Sequence, residues 1–340
     1  MFTQIIMCVN LVIVVLVKLK VLSCRTGYAV AAGHFPHPNG KVVAAGAPRI
    51  NGTVILLSLE DGSLKKYQEI LGTQLGAYFG AVLCLMDLNS DGMDDLLVGA
   101  PQYTEIRDEG RVYVYISNAG KMQETTQLAG SHAYNAHFGT AIESLGDIND
   151  DGFQDVAIGA PQEDDFHGVV YIYQGDDGGI VPHYSQKIFG RKISTRLKMF
   201  GQSISGGKDM DGNGYNDLTV GSFADAVVLL RSREIQIISA TVHLPSFTKR
   251  IPQACVENGV SMICLNMTVC FKKLKGTGTT VLEYTLQENV DTNHQPRLGF
   301  PGQPKVVRCL VNRLVLRDGS SSCRRHMGIV QVRLYVGSKI

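Results

Sequence analysis

The chain carries almost no net charge: 32 Lys and Arg stand against 31 Asp and Glu, leaving +1 over 340 residues. That balance removes the electrostatic case for nucleic acid or an anionic membrane as partner. The arrangements an enzyme needs are also missing. Although 37 residues are Gly, none opens a phosphate-binding loop in the right context. His34, His37, His132 and His137 fall in loop-like stretches without metal spacing, and the pair His34 and His37 reads as surface. Ser203 and Ser205 in "GQSISGG" miss the nucleophile elbow, because Ser205 takes the place of its second Gly. The acidic run Glu163, Asp164 and Asp165 reads as a solvated hairpin. No nucleophile and base pair stands out, so the chain is read as a non-enzyme.

Long apolar runs are scarce. One stretch, Ile5 to Val17, lies within residues 1–24. It is shorter than the ~20 residues of a membrane span. It reads either as a signal peptide cut near Cys24 or as a segment foreign to the rest of the chain. Lys and Arg are missing before it, while Lys18 and Lys20 come after it.

What is present is a repeat. "DLNSDGMDDLLVGAP" begins at Asp87, "DINDDGFQDVAIGAP" at Asp147 and "DMDGNGYNDLTVGSF" at Asp209, at intervals of 60 and 62 residues. Each follows a Phe-Gly pair: Phe79-Gly80, Phe138-Gly139 or Phe200-Gly201. A degenerate copy upstream keeps "VVAAGAP" (Val42 to Pro48) but lacks the acidic cluster. Within each cluster, positions 1, 3, 5 and 9 carry oxygen-bearing side chains. These are Asp87, Asn89, Asp91 and Asp95; Asp147, Asn149, Asp151 and Asp155; and Asp209, Asp211, Asn213 and Asp217. Gly92, Gly152 and Gly214 occupy position 6, where the chain must turn sharply. Hard oxygen donors at alternating positions suit Ca²⁺, with the carbonyl at position 7 (Met93, Phe153, Tyr215) as a further ligand. About three ions are expected, one per loop. An EF-hand is excluded, since position 12 is Val98, Ile158 or Val220 where that loop needs a bidentate Glu and a following helix.

Alternating segments follow each copy: "GTVILLSL" (Gly52 to Leu59), "GRVYVYIS" (Gly110 to Ser117), "GVVYIYQG" (Gly168 to Gly175) and "AVVLLRS" (Ala226 to Ser232). A more polar, edge-like segment follows in the first three. About four short strands per repeat make an all-β chain of β-propeller blades over residues 25–232. After Arg233 the period stops and cysteines concentrate: Cys255, Cys264, Cys270, Cys309 and Cys323. Stretches such as "IQIISATVHL" (Ile235 to Leu244) and "RLYVG" (Arg333 to Gly337) suggest a second β domain over 233–340, a sandwich. The clustered cysteines favour an oxidising compartment. Cys84, inside an apolar strand, reads as a buried free thiol. Asn51 and Asn266 head glycosylation triplets.

Phe-Gly, the acidic loop and Gly-Ala-Pro together resemble the FG-GAP repeats of integrin alpha subunits, and "VAIGAPQEDD", "GHFPHP" and "YNAHFG" look like the alpha-four/alpha-nine branch. The resemblance covers roughly residues 26–335. It implies the last four blades of a seven-bladed head, followed by an immunoglobulin-like thigh domain, here incomplete. It implies disulfides Cys255–Cys264 and Cys270–Cys323, leaving Cys309 over. It further implies a beta subunit as partner, extracellular-matrix or cell-surface protein ligands, and a place at the cell surface within a plasma-membrane complex. No C-terminal membrane helix is read from the sequence. By this resemblance the calcium loops brace the lower face of the blades. Four blades do not close a seven-bladed ring, so the isolated chain is expected to be marginal or to need a partner. Two other readings remain: a secreted calcium-binding propeller with a lectin-like or decoy role, and a regulatory propeller attached to a hydrolase.

Overall fold

A computed structural model describes residues 28–35, 40–49, 52–60, 63–223, 226–244, 254–257, 260–287, 298–300 and 309–330. The chain divides into two compact units, Met1–Arg233 and Glu234–Ile340. Among the described residues no helix is long and apolar enough to cross a membrane.

The Val-, Ile-, Leu- and Tyr-rich runs of the first unit form strands punctuated by Gly-containing turns. The first sheet is β1 (Ala29–His34), β2 (Lys41–Ala47), β3 (Thr53–Glu60) and β4 (Ser63–Leu71). The second is β5 (Val82–Met86), β6 (Asp95–Ala100), β7 (Arg111–Asn118) and β8 (Lys121–Leu128). In both, sequence order equals spatial order and every neighbour is antiparallel. The third sheet holds β9 (Ala141–Gly146), β10 (Asp155–Ala160) and β11 (Val169–Tyr173). A two-stranded ribbon, β12 (Gly175–Asp176) and β13 (Gly179–Ile180), interrupts it before the edge strand β14 (Gln186–Phe189) returns to pair with β11. Among the described residues the fourth sheet has three strands, β15 (Ser203–Lys208), β16 (Asp217–Gly221) and β17 (Val227–Leu230).

The hydrophobic cores lie between successive sheets. One unites Leu97, Val112 and Val114 of the second sheet with Phe138, Ile158 and Tyr171 of the third repeat. Another joins Val54 and Leu56 to Phe79, Leu96 and Val98. A third joins Val170 and Ile172 to Phe200, Leu218 and Val220. Four-stranded meanders stacked face to face in chain order are blades of a β-propeller. Strands β6 and β10 are buried along their whole length because both faces are covered. This explains why they read as continuous apolar runs while the edge strand β8 is largely exposed.

The two flanking motifs of each repeat meet at these seams. A Cβ built on Gly46 would lie 2.0 Å from the Gly80 carbonyl oxygen, and one on Gly99 would lie 2.5 Å from that of Gly139. The glycine of each Gly-Ala-Pro thus touches the glycine of the next Phe-Gly. Gly80, Gly139 and Gly201 all hold φ between 86° and 92°, which L side chains rarely adopt. Phe79, Phe138 and Phe200, which precede them, are fully buried.

The second unit comprises β18 (Ile237–His243), β19 (Ala254–Glu257), β20 (Val260–Lys275), β21 (Thr280–Gln287), β22 (Leu298–Gly299), β23 (Cys309–Leu316) and β24 (Ser321–Val330). One sheet runs β18-β20-β24-β22 with β19 also on β20, and β21 pairs β23 in another. Val269 and Phe271 of β20 pack on Leu314 and Leu316 of β23, with Leu282 and Tyr284 of β21. Cys270 and Cys323, register neighbours on β20 and β24, are joined by a disulfide with their Cα atoms 4.0 Å apart. Cys264 is disulfide-bonded. The backbone of Cys255 pairs with Met262 on the neighbouring strand, while its side chain and that of Cys309 lie outside the described residues. The same holds for all of residues 1–27, for His37 and Asn51, and for the run 333–337. Asn266 is exposed on β20.

Candidate metal centres

The three acidic clusters fold alike. Each is a hairpin loop, between β5 and β6, β9 and β10, or β15 and β16. The carboxylate at position 1 accepts backbone N–H groups across the loop. Asp87 accepts from Asp91 (3.1 Å) and Gly92 (2.8 Å), and Asp147 from Asp150, Asp151 and Gly152. Asp209 accepts from Asp211, Gly212, Asn213 and Gly214, and these amides outweigh burial to hold its carboxyl below the usual range. At position 5, the side-chain oxygens of Asp91, Asp151 and Asn213 accept the N–H of Met93, Phe153 and Tyr215 at 2.8, 3.0 and 2.8 Å. At position 3, Asn89 and Asn149 donate an amide hydrogen to Asp91 and Asp151, 3.3 and 2.7 Å away.

Gly92, Gly152 and Gly214 turn the chain at positive φ, and so do Ser90 (58°), Asp150 (62°) and Gly212 (77°) at position 4. That second left-handed residue was not expected from the sequence, because two of its three occupants are not Gly.

Position 9 behaves differently from the others. Asp95 and Asp155 are fully buried and Asp217 is 2% exposed. Each uses one oxygen for the N–H at position 2 and the other for an N–H near the end of the next blade strand, inside it at Ser117 and just past it at Gly175 and Ser232. Asp95 takes Leu88 (3.0 Å) and Ser117 (2.8 Å), Asp155 takes Ile148 (2.9 Å) and Gly175 (3.2 Å), and Asp217 takes Met210 and Ser232 (both 2.9 Å). Burial pushes the Asp95 carboxyl up to about 7 and that of Asp155 to about 6, with the two amides opposing the rise and the neighbouring loop carboxylates adding to it. Position 12, Val98, Ile158 and Val220, is fully buried in a strand.

Oxygens of Asp209, Asp211 and Asp217 lie within 4.8 Å of one another. Two unit charges at that distance repel by about 1 kcal/mol in water and severalfold more at lower dielectric. A divalent cation among hard oxygen donors offsets this, so the donor set fits one. In the third loop Arg231 also pairs with Asp211, its Nε donating at 2.6 Å. Ile116 and Gln174 hold the equivalent positions, one residue beyond Tyr115 and Tyr173 in the matching registers.

The loops are tied to neighbouring repeats. Ser90 Oγ donates to the Gly152 carbonyl (2.6 Å). The Asp94 N–H reaches the His34 carbonyl (2.9 Å), and the His34 N–H returns to Asp94 Oδ2 (2.6 Å). Asn216 donates to the Leu145 carbonyl (2.8 Å). Asp94 and Asn216 both sit at position 8, which sequence reasoning passed over.

The reading of Glu163 as part of a solvated hairpin is corrected. Glu163 is 5% exposed and meets Tyr171 Oη, Ser131 Oγ and Lys187 Nζ at 2.7–2.8 Å. The segment forms a tight turn with Asp164 and Asp165 in the left-handed region, and of the run only Asp165 is exposed. Glu109 was also missed; its carboxylate accepts the N–H groups of Glu105, Ile106 and Arg107 and caps their loop. Burial alone would raise its carboxyl, but those amides outweigh it and lower it. Cys84 on β5 is a partly buried free thiol that burial pushes up to about 12.

The FG-GAP repeat family model matches residues 79–115 and 138–181. The chain is 44% identical to integrin alpha-4 of Xenopus laevis over 317 residues, 90% of this chain and 30% of that protein. It is 42% identical to integrin alpha-3 of Cricetulus griseus over 83% of this chain and 27% of that protein. With integrin alpha-7 of Rattus norvegicus the identity is 37%, over 76% of this chain and 23% of that protein. This chain belongs to the integrin alpha family. It spans less than a third of the length of the curated relatives it matches. Both FG-GAP matches in this integrin alpha chain begin on a seam phenylalanine, Phe79 or Phe138. The loop at Asp209–Asp217 lies beyond them and still repeats their hydrogen bonds.

Proposed function

We propose that this integrin alpha chain contributes a calcium-braced set of propeller blades to an adhesion receptor. In that receptor it pairs with a beta subunit at the cell surface and helps bind extracellular-matrix or cell-surface proteins. The observation that carries the reading is the threefold repetition of one loop closed by a buried carboxylate, Asp95, Asp155 or Asp217. Three ions would be held by the side chains at positions 1, 3, 5 and 9 and the carbonyls of Met93, Phe153 and Tyr215. All donors are oxygen and the loops are short and irregular, which favours Ca²⁺ over the stricter octahedron of Mg²⁺.

The ion's contribution is mechanical. It neutralises the loop carboxylates and ties the hairpin to the buried Asp that anchors the neighbouring strand. The second unit is proposed as an immunoglobulin-like thigh domain with Cys255–Cys264 as a further disulfide and Asn266 as a glycan acceptor. Family membership, and not any missing residue, argues against an enzyme. Calcium titration by calorimetry with parallel thermal melts tests the reading. About three ions and a melting temperature that rises with calcium support it. A folded protein that takes up no calcium at millimolar concentration sinks it.

A further inference from the structure

The twelve residues Lys187 to Lys198 carry five cations, Lys187, Arg191, Lys192, Arg196 and Lys198, and no acidic residue. In a chain of net charge +1, this is a local concentration of positive charge. Lys187 is spent on the buried Glu163, and Arg191 pairs with Asp164 and Asp165. Lys192, Arg196 and Lys198 are exposed and have no ion pair among the described residues. Lys192 lies over the Phe189 ring at 4.8 Å. His167 sits between two of the cations. Its Nδ1 is 3.3 Å from Arg191 Nη2 and its Nε2 is 3.3 Å from Lys198 Nζ, so like charges are held close together.

A second observation falls at the same place. Asp164, Asp165 and Phe166 hold φ between 55° and 62° without being Gly. Left-handed conformations at such residues cost free energy and gather where a surface is shaped for use. Their effect here is to present an aromatic ring: Phe166 is 53% exposed. Phe223, on the other side, is 69% exposed. The two are fixed around the Lys198–Met199 backbone, since Met199 donates to the Phe166 carbonyl and Phe223 to the Lys198 carbonyl, both at 2.8 Å.

We infer that Lys192, Arg196 and Lys198, with Phe166 and Phe223, form a docking surface for a sulfated polysaccharide. The cations stand on long exposed side chains, and dispersed charges of this kind suit a polymer of repeated sulfates. Arg presents a planar fork to each sulfate and Lys a point charge. The phenyl rings add apolar faces for the C–H faces of sugar rings, which an acidic peptide lacking apolar side chains would not use. This surface is separate from the acidic loops and does not depend on them.

The test uses the full 340-residue chain on immobilised heparin, with a melt of each variant to confirm folding. The triple variant K192E/R196E/K198E should bind roughly tenfold or more weakly and elute at lower salt. A control with the same change of charge, K41E/K121E/K208E, alters three exposed lysines elsewhere and should retain nearly full binding. F166A/F223A should weaken heparin binding without changing retention on polyglutamate. Equal losses in the triple variant and the control would overturn the proposal. So would polyglutamate displacing heparin at equal charge, which would point to an acidic peptide as the partner.

Discussion

Gly159 of the third blade lies against Gly201 of the fourth, and a Cβ added to Gly159 would fall 2.1 Å from the Gly201 carbonyl oxygen. No rotamer change relieves that clash, because the obstructing atom is backbone. Gly159→Ala is expected to cost about 3 kcal/mol or more by forcing the two sheets apart. Gly178→Ala, at a glycine with only the Asp176 side chain nearby and an ordinary φ, should be near neutral. Chemical denaturation of the two variants checks the contrast. Similar midpoints would show that the seam yields at little cost.

The buried and exposed carboxylates of one loop separate stability from ion binding. Asp95→Ala leaves the buried N–H groups of Leu88 and Ser117 without acceptors, a loss of about 2–4 kcal/mol even without calcium. Asp91 is exposed and accepts the Met93 N–H, so Asp91→Ala should cost about 1 kcal/mol or less in calcium-free buffer. Both should lose calcium-dependent stabilisation at that loop. Thermal melts with calcium and with chelator distinguish them. Equal calcium-free losses would contradict the division of roles.

Arg231 competes with a cation in the third loop, since it is paired with Asp211. It is largely exposed, so the pair is worth only about 0.5 kcal/mol. Arg231→Ala should therefore lower the calcium-free melting temperature slightly and tighten calcium at that loop by roughly twofold. Calorimetry with the Asp87 and Asp147 loops disabled isolates the site. Weaker calcium binding in the variant would reverse the argument.

His326 sets a pH dependence in the second unit. It is buried, with Nε2 2.8 Å from Tyr284 Oη, and burial, reinforced by Arg324, lowers it below its usual value of 6.5. The folded state therefore favours neutral imidazole. Stability from this group is complete above the unfolded value near 6.5, and it is lost as pH falls through that value toward the lower folded one. Melts of the full chain from pH 7.5 to 5 should show a decline that His326→Gln flattens. An unchanged slope in the variant would assign the decline to other groups.

The acidic loops were legible because Asp, Asn and Gly recur at fixed offsets, and local spacing alone forces the turn. The strands were legible because their apolar runs alternate or continue according to how many faces are covered. What the sequence did not disclose depends on residues far away in the chain. The contact between Gly99 and Gly139 requires two sheets to be stacked, and the burial of Glu163 requires Ser131 and Lys187 to converge from other segments. The twin backbone bonds of Asp155 needed the ribbon Gly175–Ile180, whose few residues carry no periodic signal.

The seams couple neighbouring blades. The Phe-Gly of one blade is the wall against which the previous blade's Gly-Ala-Pro is pressed. Damage at Gly139 is thus felt by the sheet that ends at Leu128, one position upstream of where it is made. Because each contact is mutual, a lesion on either glycine of a seam loads both blades that meet there, and each blade is only as sound as its neighbours.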